Sequence, residues 1–144
     1  MEYIGFNLKN SDCVIVGICN ALKWLKKKPK YSKVEDIARN YFEYDIDNGF
    51  YTKSIQDFMK FWEIPYESME NAPIGEVESE ILKGKAALAI IKRKNEDKWH
   101  MTFLKPNENR GIELVNCNSD WIELVQDFCK KEISLSIWTI GNAA

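Results

Sequence analysis

Four side chains of this sequence could together catalyse acyl transfer. Cys13 supplies a thiol nucleophile, and His100, the only histidine, is the candidate general base that takes the thiol proton. Asn116, sixteen residues after the histidine, could hold the imidazole in one tautomer. The backbone N–H of Cys13 and the side-chain amide of Asn7, six residues before it, could donate hydrogen bonds to an oxyanion. The order and spacing of these residues favour a thiol hydrolase that forms a covalent acyl-enzyme.

The segment that contains Cys13 predicts a helix that starts at residues 10–12, has Cys13 in its first turn and ends near Lys28, with Pro29 as its stop. Residues 10–12 are all good N-cap residues, and a thiol in the first turn feels the positive end of the helix dipole, which favours the thiolate. One face carries apolar residues and the side of Cys13 carries small or mixed ones. These are Ile15, Ile18, Cys19, Leu22 and Leu25 on the first face, and Gly17, Asn20, Ala21 and Trp24 on the second. We therefore expect a helix buried on both sides, with its small residues letting a second lobe approach closely.

The rest of the chain predicts helices first and antiparallel strands afterwards. A second helix begins at Ser32, where Ser32 and Glu35 match a capping box. The other predicted helices are 52–62, 76–82 (with Gly84 as its C-cap) and 121–130, and the predicted strands are 86–92, 99–105, 111–116 and 132–140. This order indicates a single domain, residues 1–144, of the α+β class: a helical lobe with a central nucleophile helix, packed on a small antiparallel sheet lobe.

The predicted strands bring the candidate base and its partner together. His100 opens one strand and Asn116 ends the next, and a short hairpin joins the two. The start of one such strand lies beside the end of its neighbour, so the amide of Asn116 could orient the imidazole. Asn118, two residues further on, is the alternative third member. The plainer alternatives are an ordinary half-exposed strand histidine and a polar turn over residues 116–120.

This constellation resembles that of the papain-like cysteine peptidases, and specifically the small branch similar to bacteriocin-processing (double-glycine leader) peptidases. Asp12-Cys13, followed by a helix with the segment 20–25, resembles the nucleophile helix of the family, and the His100 strand and segment 112–116 resemble its His and Asn/Asp strands. The resemblance covers nearly the whole chain. It implies a papain-like fold and a peptide or protein substrate. It also implies the family's roles of nucleophile, base, orienting residue and oxyanion donor for Cys13, His100, Asn116 and Asn7, in that order.

The chain also departs from the family pattern. The family prefers Gln at the position of Asn7, and the leader peptidases usually have Gly at that of Val14 and Asp-Pro where this chain has Asn116-Cys117, although Asn is the usual third residue in papain itself. Val14 and the shorter Asn7 favour a second hypothesis, a catalytically inactive papain-fold protein that binds or inhibits another protein. A third hypothesis is an unrelated α+β domain with fortuitous spacing, which contact between Cys13, His100 and Asn116 would exclude.

Composition argues against several classes of ligand. The net charge is −2, which does not predict a nucleic-acid partner. One histidine and four cysteines without a CxxC pair do not predict a zinc site, and we expect no metal and no cofactor. The segment 45–49 faintly resembles a calcium loop, but the later ligands of such a loop are missing.

Composition also indicates a compartment. The sequence has no apolar run of membrane-spanning length, and its first ten residues do not resemble a signal peptide. We therefore expect a cytoplasmic protein with reduced cysteines and no membrane contact. Its content of Lys, Asn and Ile is typical of a bacterial or phage protein, and the sequence leaves the oligomeric state open.

Overall fold

The structure, a computed structural model, describes residues 2–68, 74–92, 99–107, 111–116 and 134–140. Its helices are α1 (Cys13–Trp24), α2 (Tyr31–Tyr41), α3 (Ile55–Phe61, after a 3-10 turn over Thr52–Ser54) and α4 (Ile74–Leu82), and its strands are β1 (Tyr66–Ser68), β2 (Ala86–Lys92), β3 (Trp99–Pro106), β4 (Ile112–Val115) and β5 (Ser134–Ile140). The strands form one antiparallel sheet in the order β1-β5-β2-β3-β4. The predicted α+β class is therefore confirmed. The predicted helix 121–130 lies outside the described residues.

Helix α1 packs between the sheet and helix α2. It packs on β2 and β3 on one side and on α2 on the other, and every residue from Cys13 to Leu22 is buried. The prediction of a helix buried on both sides is confirmed. Gly17 allows the close approach to the sheet, because a Cβ atom there would lie 2.8 Å from Met101 Sδ and 3.2 Å from Leu88 Cδ2.

The C-terminus of α1 differs from the prediction, since the helix ends at Trp24 and not near Lys28. Lys26 has a left-handed φ of 62°. Its N–H donates to Lys23 O at 3.0 Å, and the N–H of Lys27 donates to Leu22 O at 2.9 Å, which together form a Schellman motif. The motif normally has glycine at the left-handed position, so a lysine there gave the sequence no stop signal.

We predict that Lys26→Gly raises the free energy of unfolding by about 0.5–1 kcal/mol. Glycine removes the cost of a left-handed φ, and its larger unfolded-state entropy offsets part of that gain. Urea denaturation followed by circular dichroism measures the change. Gly84 has a φ of 99° at the matching position after α4, so Gly84→Ala is the matched control and should lower the stability. A loss of stability in Lys26→Gly would contradict this account of the helix end.

The capping box predicted for α2 is wrong. The helix begins at Tyr31 after Lys30, and no side chain caps its N-terminus. Glu35 is instead buried and pairs with Lys9 Nζ at 2.8 Å and with Arg39 Nη2 at 3.6 Å. An unpaired buried carboxylate costs more free energy than an uncapped helix N-terminus. The ion pairs therefore determine where the Glu35 side chain lies.

No helix in the described part of the chain has both the length and the apolar character that crossing a membrane requires.

Candidate active site

Cys13 is the first residue of α1 and lies against the strand that carries the histidine. Its thiol is nearly enclosed, with 8 % of the residue exposed. Its Sγ accepts a hydrogen bond from the N–H of Met101 at 3.5 Å, and Met101 directly follows His100 in β3. The candidate nucleophile is therefore held against the peptide unit next to the candidate base.

The predicted thiolate does not agree with the electrostatics of Cys13. Burial raises the pKa of the Cys13 thiol to about 11, the N–H of Met101 opposes this shift, and the Asp12 carboxylate adds to it. The loss of hydration outweighs the backbone N–H groups of Met101, Val14 and Cys13, which lower the pKa. In this structure the cysteine is a neutral thiol at pH 7.

His100 is half-buried, and its ring is held by a main-chain atom. Its Nε2 lies 2.6 Å from the carbonyl oxygen of Asn116. Because a carbonyl oxygen only accepts, Nε2 carries the proton and Nδ1 of the neutral ring carries the lone pair. Burial lowers the pKa of His100 below its usual 6.5, and the contact with Asn116 opposes that shift. The imidazole is therefore neutral at pH 7, which is the form that can accept a proton.

Asn116 contacts His100 through its main chain and Asn7 through its side chain. Its φ of 66° is left-handed, a conformation that asparagine tolerates better than most residues. Its Nδ2 donates to Asn7 Oδ1 at 2.7 Å. The side-chain amide of Asn116 was expected to orient the imidazole, whereas in the structure the ring donates this hydrogen bond to the main-chain carbonyl oxygen. The contact uses the acceptor of Asn7 and leaves the Asn7 amide N–H groups as the atoms that could bind an oxyanion.

The structure thus brings the four candidate residues into one connected group. Asn7 contacts Asn116, Asn116 contacts His100, and the peptide unit after His100 contacts Cys13. Residues far apart in sequence meet because β3 and β4 pair beside the N-terminus of α1. Asn118, the alternative to Asn116, lies outside the described residues.

Asp12 is a residue of this site that its sequence position indicated as a possible helix cap and not as a contact of the Asn7 loop. It is fully buried, and its side chain makes no cap hydrogen bond to α1. Its Oδ2 accepts from the N–H of Leu8 at 3.1 Å, from the N–H of Lys9 at 2.9 Å and from the Tyr31 hydroxyl at 2.6 Å. Residue type alone could not reveal this, since a cap and a loop anchor both require an acceptor at the same position.

The described residues do not form a metal centre. Among them, no group of three or more His, Cys, Asp or Glu side chains is arranged to hold a metal ion. In the segment with a faint likeness to a calcium loop, Asp45 Oδ1 accepts the N–H groups of Asp47 and Asn48 at 2.8 and 2.6 Å. That carboxylate closes a turn.

The fold and the site define an α+β protein with a buried cysteine at a helix N-terminus beside a sheet that carries a histidine. No protein-family model matches this sequence, and neither does any curated protein. A functional assignment therefore depends on the residues and contacts of the site.

Proposed function

We propose that this protein is a papain-like thiol hydrolase that cleaves a peptide or amide bond with Cys13 as its nucleophile. The observation that carries the proposal is the 2.6 Å contact between His100 Nε2 and the carbonyl oxygen of Asn116. This contact makes Nδ1 the basic atom of the His100 ring. Met101, the next residue, binds the Cys13 thiol through its N–H. The layout of a buried cysteine helix packed on an antiparallel sheet supports the papain-like assignment.

The proposed reaction begins from a neutral thiol and a neutral imidazole. Sγ of Cys13 attacks the carbonyl carbon, and the thiol proton passes to Nδ1 of His100 as the S–C bond forms. The oxyanion accepts hydrogen bonds from the backbone N–H of Cys13 and from the Asn7 amide. The C–N bond then breaks, and the leaving amine takes the proton from His100. Water, deprotonated by His100, attacks the thioester, which releases a carboxylic acid and the free thiol.

One specific observation favours the second candidate, a papain-fold protein that binds another protein without turnover. Cys13 is enclosed and burial raises its pKa to about 11, so the free protein holds little thiolate at neutral pH. Val14, at a position where the resembled family usually has glycine, is also buried, with 1 % exposed. The residue directly after the nucleophile therefore carries a buried side chain that a glycine would lack.

Turnover of peptides separates the two candidates. The wild-type protein is incubated with a mixed peptide library at pH 7.5, and new termini are identified by mass spectrometry. Cleavage should be absent in Cys13→Ala and reduced by about 10²–10⁴-fold in His100→Ala. Circular dichroism confirms that both variants are folded. A library left intact by the wild-type protein, or cut equally by Cys13→Ala, would contradict the hydrolase.

The unusual role of the Asn116 main chain gives a separate prediction. Asn116→Gly removes the amide but keeps the carbonyl and accepts the left-handed φ, so the imidazole stays held while Asn7 loses its partner. We expect a fall in kcat no larger than that of Asn7→Ala, which should be about 10²–10³-fold for a lost oxyanion donor. The double variant should lose little more than Asn7→Ala. The acid limb of the pH–rate profile, below pH 6.5, should not move, because it belongs to His100.

The opposite result for Asn116→Gly is equally clear. A loss as large as that of His100→Ala, with a shifted acid limb, would mean that the Asn116 side chain orients the imidazole. The main-chain account of the site would then be wrong, although the hydrolase itself would stand.

A further inference from the structure

The Asp12 carboxylate connects the two groups of the proposed oxyanion hole. Its Oδ2 binds the N–H groups of Leu8 and Lys9, the two residues that directly follow Asn7. Its own main chain leads into Cys13, and its carbonyl oxygen accepts the N–H of Val16 at 3.0 Å, the first hydrogen bond of α1. One residue therefore fixes the loop that carries the Asn7 amide relative to the helix that presents the Cys13 N–H.

Tyr31 fixes the carboxylate in turn. Its hydroxyl donates to Asp12 Oδ2 at 2.6 Å from the start of α2. Burial, and after it the bond to Asp12, raises the pKa of the Tyr31 hydroxyl, which therefore remains a donor across the physiological range. Oδ2 of Asp12 thus accepts three hydrogen bonds, two from the loop that follows Asn7 and one from α2.

Asp12 has an unfavourable effect on the folding free energy and on the ionisation of Cys13. It is fully buried, and its Oδ1 has no hydrogen-bond partner among the described residues, which costs folding free energy. Its charge also raises the pKa of Cys13, which opposes ionisation of the nucleophile. The hydrogen bonds of Asp12 to Leu8 and Lys9 indicate that its role is to hold the loop that carries Asn7.

We propose that Asp12 is a positioning residue that holds the Asn7 amide and the Cys13 N–H in the geometry of one oxyanion hole. This inference rests on the proposed hydrolase function. Asp12 acts through Asn7 and touches neither the substrate nor the reacting atoms. The oxyanion is bound mainly in the transition state, so loss of the anchor should reduce kcat and leave KM nearly unchanged.

The kinetic test is a double-mutant cycle with Asn7. Asp12→Ala should lower kcat about 10–100-fold, and Asp12→Asn, which keeps one acceptor oxygen, should recover most of the loss. In an Asn7→Ala background, Asp12→Ala should cost almost nothing more, because the loop that Asp12 holds relative to α1 then carries no oxyanion donor. Additive losses, or a rise in KM with kcat unchanged, would overturn the proposal.

Hydrogen exchange tests the anchor without any substrate. In Asp12→Ala the amides of Leu8 and Lys9 should exchange at least tenfold faster, whereas the amide of the buried Ala38, two turns into α2, should not change, which excludes general unfolding. Tyr31→Phe is a milder second variant and should give a smaller acceleration at the same two amides. Unchanged exchange at Leu8 and Lys9 overturns the inference even if the enzyme is active. Faster exchange in a protein without turnover shows that the loop anchor is real and that the hydrolase proposal has failed.

Discussion

Iodoacetamide will label Cys13 slowly at neutral pH, and the rate will rise up to about pH 11, where the thiol ionises. At pH 7.5 a thiol of that pKa is about 0.03 % thiolate, against about 10 % for an unperturbed cysteine of pKa about 8.5. We therefore expect labelling to be roughly 300-fold slower than that of a free cysteine peptide. Mass spectrometry of the Cys13 peptide, sampled over time from pH 6 to pH 11, measures the rate of labelling.

The chain provides an internal reference for this experiment. Cys19 is also buried in α1, and burial raises its pKa to about 12, so it should react more slowly than Cys13 at each pH below that value. Fast labelling of Cys13 at pH 7 that becomes slow in His100→Ala would contradict a neutral Cys13 thiol beside a neutral His100 imidazole. It would mean that thiolate and imidazolium form a stable ion pair in the free protein.

Gly17→Ala should lower the free energy of unfolding by about 1–3 kcal/mol, although alanine is normally the better helix former by about 1 kcal/mol. The added methyl group would lie 2.8 Å from Met101 Sδ and 3.2 Å from Leu88 Cδ2. Both neighbours are fully buried in the sheet, so a shift of either side chain must be accommodated by repacking within the core. Urea denaturation followed by circular dichroism measures the loss.

A second helical glycine provides the matched control. Gly75 lies in α4, and a Cβ atom there would meet nothing within 4 Å. Gly75→Ala should therefore raise the free energy of unfolding, by up to about 1 kcal/mol, through helix propensity alone. If Gly17→Ala were also neutral or stabilising, the close contact between α1 and the sheet would be wrong.

The elements with strong local patterns could be predicted from the sequence. The apolar run 86–92 is β2 to the residue, and Cys13 lies in the first turn of α1 as expected. The end of α1 and the start of α2 could not be predicted, for different reasons. Lys26 adopts a conformation usual for glycine, so residue type did not mark the end of α1. Glu35 pairs with the distant Lys9 and with Arg39, and not with its own helix terminus, and no local pattern encodes the contact with Lys9.

The contact between the candidate base and its partner could be predicted from the sequence, but the atoms that make it could not. Sequence order and strand pairing were enough to suggest that His100 and Asn116 meet. They could not indicate that a left-handed φ turns the Asn116 carbonyl toward the ring and its amide toward Asn7. The raised pKa of Cys13 was equally hidden, because it depends on burial in the packed structure and not on position in a helix.

The most direct test of the account is acylation of Cys13 by p-nitrophenyl acetate, followed by release of nitrophenolate and by intact mass. The account predicts a burst of one equivalent and a single acetyl group, which peptide mapping locates on Cys13. Cys13→Ala should show no burst, and His100→Ala should acylate about 10²–10⁴-fold more slowly. Acetylation found only on lysines, or proceeding at Cys13 equally fast without His100, would contradict the claim that these two residues form a catalytic pair.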